Sequence, residues 1–180
     1  MRASLLGVVL ASALSALACS SDSEDSGGKP TPKRTLVFRS DARPAGSSVT
    51  LRQKELGSGR LVLELVGNSV DALYGVAFRL RYDPKVLGFE KVEASPHWGA
   101  SPPLALASEK TPGLVVLTLT EKGKSAGVSG SEVVLGTLAF QLKVEQASAI
   151  DVVVERSGAV GADGRARPAV GWAGGDLVLE

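Results

Sequence analysis

Few residues of this chain have the types and spacing that catalysis or metal binding requires. Gly123-Lys124-Ser125-Ala126-Gly127 satisfies the G-x-S-x-G pattern, in which the serine is a nucleophile at a turn from a strand into a helix. That arrangement needs an aspartate and a histidine later in the chain, whereas the single histidine, His97, lies upstream of Ser125. His97 also lacks a second histidine or cysteine at zinc-ligand spacing, and nothing marks a pair of carboxylates for glycoside hydrolysis. We therefore expect no catalytic residue, no metal site, no cofactor and no enzymatic activity, with Ser125 in a loop.

The one cysteine, Cys19, stands at the end of an apolar leader. Arg2 supplies a positive charge, and residues 5–17 contain only Leu, Val, Ala, Gly and Ser. This is typical of a secretory signal peptide and is too short for a membrane span of ~20 residues. Ala16-Leu17-Ala18-Cys19 resembles the lipobox of bacterial lipoproteins, with Ala16 where Leu is usual. The resemblance implies cleavage after Ala18 and a lipid on the Cys19 sulfur; an ordinary signal peptide with an incidental cysteine is the alternative.

The chain divides into a signal peptide (1–18), a polar segment (19–34) and one domain (35–180). The polar segment is rich in Ser, Asp, Gly and Pro, has no hydrophobic period, and is therefore predicted to be a disordered tether. Ser20 follows the cysteine; by resemblance to Gram-negative lipoproteins, the absence of Asp there implies an exported protein anchored in the outer membrane. The formal net charge is +1, and positive and negative residues are well mixed along the chain. This charge pattern does not indicate nucleic-acid binding.

Nearly every apolar segment after Thr35 alternates with a period of two residues, which is the pattern of a half-buried β-strand. The clearest segment is residues 76–82, where Val, Phe, Leu and Tyr alternate with Ala and two Arg. Further strands are predicted at residues 61–65, 138–144, 150–154 and 177–179, with a central strand at 114–120 and weaker candidates at 35–39, 48–52 and 87–92. Eight or nine short strands separated by Gly- and Pro-containing turns predict a single antiparallel β-sandwich of the jelly-roll type.

Several segments, taken in order, resemble the cohesin family. Residues 75–87 are similar to the cohesin signature, in which a strand ends in Tyr-Asp-Pro and Val-Leu follows, here Tyr82-Asp83-Pro84 and Val86-Leu87. Residues 117–121, 136–140 and 174–179 resemble three later cohesin strands. In the signature, the aspartate can cap the turn and the proline fixes φ, which should return Leu87 to the core.

The resemblance implies a non-catalytic module that binds a dockerin, the calcium-loaded helical module that docks enzymes onto scaffolds, or another surface protein. Family contacts come partly from outward residues of the strand before Tyr-Asp-Pro, often Asn and Asp, where this chain has Gly75 and Ala77. Glu121 falls at the position of a contacting acid in the family. Arg79 and Arg81 are expected to point outward on the same strand, either as partner contacts or as ordinary solvated charges.

Carbohydrate binding is the second hypothesis, because sugar-binding sites place the faces of aromatic side chains against the sugar ring. The candidates are Trp98, Trp172 and Tyr74, in a chain with only 4% aromatic residues. The Pro-rich loop at 94–103 predicts that Trp98 is the more exposed tryptophan, although either tryptophan can instead plug an end of the sandwich. A third reading is a purely structural domain of an envelope complex. Exposed coplanar rings would favour a polysaccharide ligand, whereas a flat polar sheet face would favour a protein partner.

Overall fold

The computed structural model describes residues 34–98 and 103–180, and its strands follow the alternating segments of the sequence. Within these residues there are eleven strands and one short 3-10 helix at Val154–Arg156. The strands are β1 (Leu36–Ser40), β2 (Ser48–Gly57), β3 (Arg60–Tyr82), β4 (Leu87–Ala94), β5 (Leu104–Thr111), β6 (Leu114–Thr120), β7 (Val128–Leu142), β8 (Ser148–Val152), β9 (Gly158–Gly161), β10 (Gly171–Ala173) and β11 (Gly175–Leu179). All pair antiparallel except β10, which runs parallel to β2. The predicted all-β sandwich is confirmed.

Strand β3 is long enough to belong to both layers of the sandwich. Its first half pairs with β2 and β7, and its second half pairs with β6, β8 and β9. The register shifts between Val70 and Leu73, and Ser69 and Ala72 have positive φ of 49° and 44°. Ser129 stabilises this kink, because its hydroxyl accepts a hydrogen bond from the Ala72 N–H at 2.8 Å. The two segments predicted as separate strands, 61–65 and 76–82, are therefore the two halves of one bent strand.

The kink in β3 defines two layers with separate outer surfaces. The first sheet contains β10, β2, residues 60–70 of β3, β7 and β4. The second sheet contains β5, β6, residues 73–82 of β3, β8, β9, β11 and β1. Both β8 and β9 pair with this part of β3, each with different residues. The predicted central strand is confirmed, since β6 is paired on both edges.

The core lies between the layers and is built from alternate residues of every long strand. In β3 the inward side chains include Leu63 from the first half and Phe78 and Leu80 from the second half. Phe140 of β7 packs edge to face against Tyr82, with ring centroids 5.3 Å apart, a favoured aromatic geometry. The period-two assignment of inward and outward residues in these strands is confirmed.

The turn after β3 has the capping that the sequence predicts. The Lys85 N–H donates to the Asp83 carboxylate at 2.8 Å, and the Leu87 N–H donates to the Asp83 carbonyl at 3.0 Å. Leu87 is fully buried. The Asp-Pro turn thus returns the chain to the core at the start of β4.

Three strands were not predicted, and two predicted strand ends are wrong. β5, β9 and β10 lie outside the predicted strands, whereas the predicted strands at 138–144 and 150–154 extend to Val144 and Val154. Val144 lies beyond β7, Val154 begins the 3-10 helix, and both are exposed. Short or exposed strands such as β5 lack the alternating burial that period-two patterning detects.

Residues 34–180 form one compact unit. The predicted signal peptide, the Cys19 lipid site and the tether up to residue 33 lie outside the described residues. Within the described part of the chain, no helix is both long and apolar enough to span a membrane.

Candidate functional site: the outer face of the second sheet

The second sheet presents an outer surface made by β5, β6, the second half of β3, and the neighbouring β8 and β9. We call it the β5–β6–β3 face. The strand registers arrange its outward residues in four rows, which are Leu104, Thr120, Gly75 and Val160; Leu106, Thr118, Ala77 and Gly158; Ser108, Val116 and Arg79; and Thr111, Leu114, Arg81 and Asp151. The face therefore changes from apolar and small side chains at one end to basic ones at the other.

Three large apolar side chains are exposed on this face. Leu106 is 54% exposed, Val116 40% and Val160 39%. β6 explains the arrangement, because Val115, Leu117 and Leu119 fill the core while its alternate residues face outward. The sequence shows that β6 is β-rich on both faces, but only the structure shows that one of those faces is open to solvent.

Arg79 and Arg81 border the apolar rows. In the strand register Arg79 is opposite Val116, and Arg81 is opposite Leu114 on one side and Asp151 on the other. Neither arginine forms a salt bridge within residues 34–98 and 103–180, and the Asp151 carboxylate is not within ion-pair distance of Arg81. Both guanidinium groups are therefore available to a carboxylate from outside the domain.

Gly75 keeps the apolar end of the face flat. A Cβ at this position would lie 2.9 Å from the Thr120 Oγ1 and 3.3 Å from the Leu119 carbonyl oxygen. A larger side chain, such as the asparagine typical of cohesins, would require Thr120 to move. Ala77, in contrast, is exposed between Thr118 and Gly158 in the strand register. The close approach of Thr120 therefore restricts the side chain at position 75.

Glu109 holds β5 against the rest of the second sheet. A β-bulge between Ser108 and Thr111 interrupts the pairing with β6 at this residue. One Glu109 carboxylate oxygen accepts hydrogen bonds from the Tyr82 hydroxyl at 2.5 Å and from the Gly113 N–H at 2.8 Å. Burial raises the pKa of Tyr82 far above its ordinary value, and the bond to Glu109 adds to this. The sequence carried no signal for this contact, because it depends on the bulge.

Glu121 is not on the outer face, which corrects its assignment as a partner contact. It is only 5% exposed, and neither of its carboxylate oxygens has a hydrogen-bond partner among the described residues. Its backbone N–H donates to the Tyr74 carbonyl at 3.0 Å, which places it just beyond the end of β6. Burial raises the pKa of the Glu121 carboxyl above its ordinary value.

Trp98 is buried, so the expectation that it is the more exposed tryptophan is wrong. It is 1% exposed, and its indole N–H donates to the Leu135 carbonyl at 2.5 Å. Ser95 starts the turn that leads to it, and the Trp98 N–H donates to the Ser95 carbonyl at 3.5 Å. A polar partner for the indole allows the whole ring to enter the core, which the Pro-rich sequence around it does not reveal.

The other two aromatic candidates are half-buried and contact different parts of the domain. Trp172 packs against Phe78 with ring centroids 5.8 Å apart. The Tyr74 hydroxyl donates to the Gly123 carbonyl at 2.7 Å. The structure therefore does not bring Trp98, Trp172 and Tyr74 together as one aromatic platform.

Ser125 and His97 occupy loop positions. The Ser125 hydroxyl accepts from the Gly127 N–H at 3.1 Å, and the chain continues into strand β7 rather than into the helix that a nucleophile elbow requires. His97 is exposed, and its backbone N–H donates to the Ser95 hydroxyl at 3.3 Å. Among the residues that the structure describes, no three His, Cys, Asp or Glu side chains cluster in a way that could hold a metal ion.

Comparison with solved structures shows that this architecture is similar to that of cohesin modules. The second type II cohesin module of the ScaA scaffoldin of Acetivibrio cellulolyticus superimposes with a TM-score of 0.61 at 12% identity, covering 74% of this chain and 96% of that module. A non-cellulosomal cohesin from Archaeoglobus fulgidus gives 0.57 at 16% identity, covering 73% and 89%. A cohesin module from a family 33 glycoside hydrolase of Clostridium perfringens gives 0.54 at 13% identity, covering 75% and 92%.

The domain thus has a cohesin-like fold, as the resemblance of its sequence motifs implied. No protein-family model matches the sequence, and the comparison with curated proteins finds no match. At these identities the structural likeness shows the fold alone. The apolar residues of the β5–β6–β3 face, Leu106, Val116 and Val160, were not among the predicted site residues; the apolar outer positions of β6 were the one signal for them in the sequence.

Proposed function

We propose that this chain is a non-catalytic, cohesin-like module that binds a dockerin-like protein through the β5–β6–β3 face. The observation that carries the proposal is the presence of three exposed apolar side chains, Leu106, Val116 and Val160, on one outer sheet face beside two arginines that have no ion-pair partner in the described chain. Protein interfaces combine apolar contacts with polar and charged residues at the rim.

The structural neighbours support the same kind of partner. One is the sixth cohesin of Acetivibrio cellulolyticus scaffoldin B in complex with a doubly mutated Cel5 dockerin, at a TM-score of 0.57, 14% identity, and coverage of 71% and 96%. Another comes from a type II cohesin–X-dockerin complex of the same organism. In this chain the outward strand positions that carry polar contacts in the family are Gly75 and Ala77, so recognition relies on apolar contact and on Arg79 and Arg81.

The test is direct binding of the full-length chain to purified modules. The calcium-loaded Cel5 dockerin and X-dockerin of Acetivibrio cellulolyticus serve as probes in calorimetry, beside a panel of polysaccharides. Val116→Asp places a charge at the centre of the face, and Val144→Asp makes the same change at an exposed valine outside it. We expect a dockerin to bind the native chain and the Val144 variant, and affinity to fall at least ~10-fold in the Val116 variant.

The contrary results are equally specific. Binding that is unchanged by Val116→Asp would place the contact elsewhere on the domain. Retention on a polysaccharide that disappears with Trp172→Ala would make the module a carbohydrate binder instead. No binding to either class of probe would leave the structural role as the better account.

We also propose that the module is exported and attached to the bacterial cell envelope, in the outer membrane, by a lipid on Cys19. The support is the sequence of the leader and the polar segment that follows it. Cys19→Ala should shift the protein from the membrane fraction to the soluble fraction, or block its processing. A variant that is processed normally and stays in the membrane fraction would refute the anchor and leave the binding function untouched.

A further inference from the structure

We infer that the partner surface is acidic: it presents an apolar stripe to Leu106, Val116 and Val160, bordered by carboxylates that pair with Arg79 and Arg81. This rests on the proposed function, because it names the chemistry of the partner at the same face. It goes further by predicting the sign of the partner's charge, which the fold does not determine.

The charges around the β5–β6–β3 face are the first step. Of the acidic residues near it, Glu109 is bound to Tyr82 and Gly113, Asp163 is paired with Arg167, and Glu121 is buried. Glu155 and Arg156 are neighbours in the 3-10 helix and offset each other. The Tyr82 hydroxyl and the Gly113 N–H are neutral donors and do not offset the Glu109 carboxylate, so three acids, Glu109, Asp151 and Asp83, face a larger number of basic residues. The basic residues of the face and its adjoining loops are Arg79, Arg81, Lys110, Lys122, Lys124 and Arg165.

These basic residues are arranged around the apolar rows rather than scattered over the domain. Arg79 and Arg81 occupy one end of the face. Lys122 and Lys124 follow the opposite end of β6. Arg165 lies beside β9, because Val160 and Ala166 form an isolated bridge. An acidic partner would gain from these charges in both association rate and orientation, and a basic partner would be repelled.

The backbone of the face limits how a partner can bind. β3 and β6 are hydrogen-bonded along both edges, so no strand can be added at the centre of the face. β5 is interrupted by its bulge and carries Glu109 and Lys110 there, which are features that discourage edge pairing. The partner must therefore contact side chains from above, as an amphipathic helix does when its apolar stripe rests on an apolar surface.

The dimensions suit such a contact. Strands ~4.8 Å apart and rows ~6.7 Å apart give the four rows an area on the order of 400 Å². A standard interface buries roughly 800 Å² on each partner. The apolar rows can therefore form the centre of an interface whose rim is supplied by the basic loops, which is where the partner's carboxylates would lie.

The experiment uses two designed helical peptides that differ only in the charge of their flanks. Each has about 16 residues, enough for a helix, with leucines at i, i+3, i+4 and i+7 and either Glu or Lys beside that stripe. Binding to the full-length chain is measured by calorimetry at low and high ionic strength, and the contacted residues are located by NMR. We expect the Glu peptide to bind about tenfold tighter than the Lys peptide at low salt, with the ratio shrinking as salt screens the charges.

Variants of the chain locate the effect. The double change Arg79→Glu and Arg81→Glu should abolish or reverse the preference for the Glu peptide, and Arg79→Gln with Arg81→Gln provides a milder version if the reversal perturbs folding. Lys54→Glu is the control for the single change Arg79→Glu, because both reverse one charge and Lys54 is an exposed cation on the first sheet. It should leave the preference unchanged, whereas Arg79→Glu should reduce it.

Four results would overturn the inference. These are equal or tighter binding of the Lys peptide, no binding of either peptide below about 1 mM, contacts mapped to another surface, and a preference that survives the double reversal. Failure of the dockerins to bind would refute the proposed function while leaving a peptide preference intact. A dockerin that binds equally well after the double reversal would uphold the function and refute the acidic partner.

Discussion

The outer surfaces of the two sheets have opposite compositions, although the same strand, β3, contributes to both. On the first sheet, Arg52 pairs with Glu64 and with Glu132. Arg60 pairs with Glu90 on the same sheet. On the second sheet, the β5–β6–β3 face has exposed apolar side chains, and its two arginines form no salt bridge within the described chain.

This difference indicates which surface is built to receive a partner. A surface whose charges already neutralise one another gains little from new ionic contacts, and it must lose its own pairs before it can form them. Exposed ion pairs add at most ~1 kcal/mol each to stability. Those of the first sheet therefore mainly keep that surface polar, with Arg52 and Arg60 already paired to carboxylates. The β5–β6–β3 face of the second sheet leaves its apolar side chains exposed and its two arginines, Arg79 and Arg81, without a salt bridge within the described chain.

The largest expected effect comes from removing the core beneath the β5–β6–β3 face. Phe78 is 1% exposed and packs between the layers against Trp172. Phe78→Ala should lower the free energy of unfolding by ~3–5 kcal/mol, since it leaves a cavity in a close-packed core. Urea denaturation followed by tryptophan fluorescence measures the change, with Val116→Ala as the exposed control. A loss below ~1 kcal/mol would mean that the second sheet does not depend on this side chain for its support.

The next largest effect concerns the hydrogen bonds by which Glu109 connects β5 to the rest of the second sheet. Glu109→Ala removes the acceptor of both the Tyr82 hydroxyl and the Gly113 N–H, and should cost ~1–3 kcal/mol because buried donors are left unpaired. Glu109→Gln keeps an acceptor oxygen and should cost clearly less. Denaturation of both variants, together with Tyr82→Phe, tests this contact. Equal losses for the Ala and Gln variants would show that the hydrogen bonds do not hold β5 in place.

A smaller effect depends on pH and concerns Glu121. Burial raises the pKa of this carboxyl above its ordinary value of 4.5, so the folded state favours the protonated form. The stability that the protonated Glu121 carboxyl contributes is therefore fully present below about pH 4.5. It is lost as the pH rises through the raised pKa of the folded state. Glu121→Gln, which stays neutral, should stabilise the domain at pH 7 and have little effect at pH 4.

The pH dependence is measured as the difference between native and variant unfolding free energies at the two pH values. Glu155→Gln, at an exposed position, controls for the removal of one negative charge. If Glu121→Gln shifts stability equally at pH 4 and pH 7, the carboxyl is not ionising in a buried environment.

Local rules predicted the parts of the fold that local interactions determine. The alternation in residues 76–82 predicts an inward Phe78 and an outward Arg79, because a strand places successive side chains on opposite faces. The turn at Asp83 was predictable because the capping carboxylate and the proline lie within a few residues of each other. Strand β5 was not predictable, since Leu104–Thr111 lies on an edge with most of its side chains exposed and is placed by its pairing with β6.

The candidate site was less predictable because its key properties depend on distant residues. Trp98 is buried because its indole N–H has an acceptor at Leu135, far away in the sequence. Glu121, in contrast, continues the inward series of Leu117 and Leu119, so its burial follows from the alternation of β6. The exposure of Val116 depends on whether another layer covers β6. Sequence patterns identify which residues share a face of a strand, but they do not reveal which face the remainder of the chain leaves open.

The smallest expected effect compares one arginine from each outer surface. Arg52 is paired with two carboxylates, and the hydrogen bond that it donates to Glu64 is the largest cause of the raised pKa of Arg52. Arg52→Ala should therefore lower the free energy of unfolding by ~0.2–1 kcal/mol, less at high salt. Arg79→Ala breaks no ion pair within the described chain and should change stability by less than ~0.5 kcal/mol at any salt concentration.

Binding should show the reverse order. Arg79→Ala should lower the affinity for the Glu peptide several-fold at low ionic strength, whereas Arg52→Ala should leave that affinity unchanged. The two arginines are the same residue type on the same domain, so their different responses would come from what surrounds each of them. If Arg52→Ala weakened the peptide as much as Arg79→Ala, the charge of the whole domain rather than the β5–β6–β3 face would attract the partner. The opposed composition of the two sheets would then have no bearing on recognition.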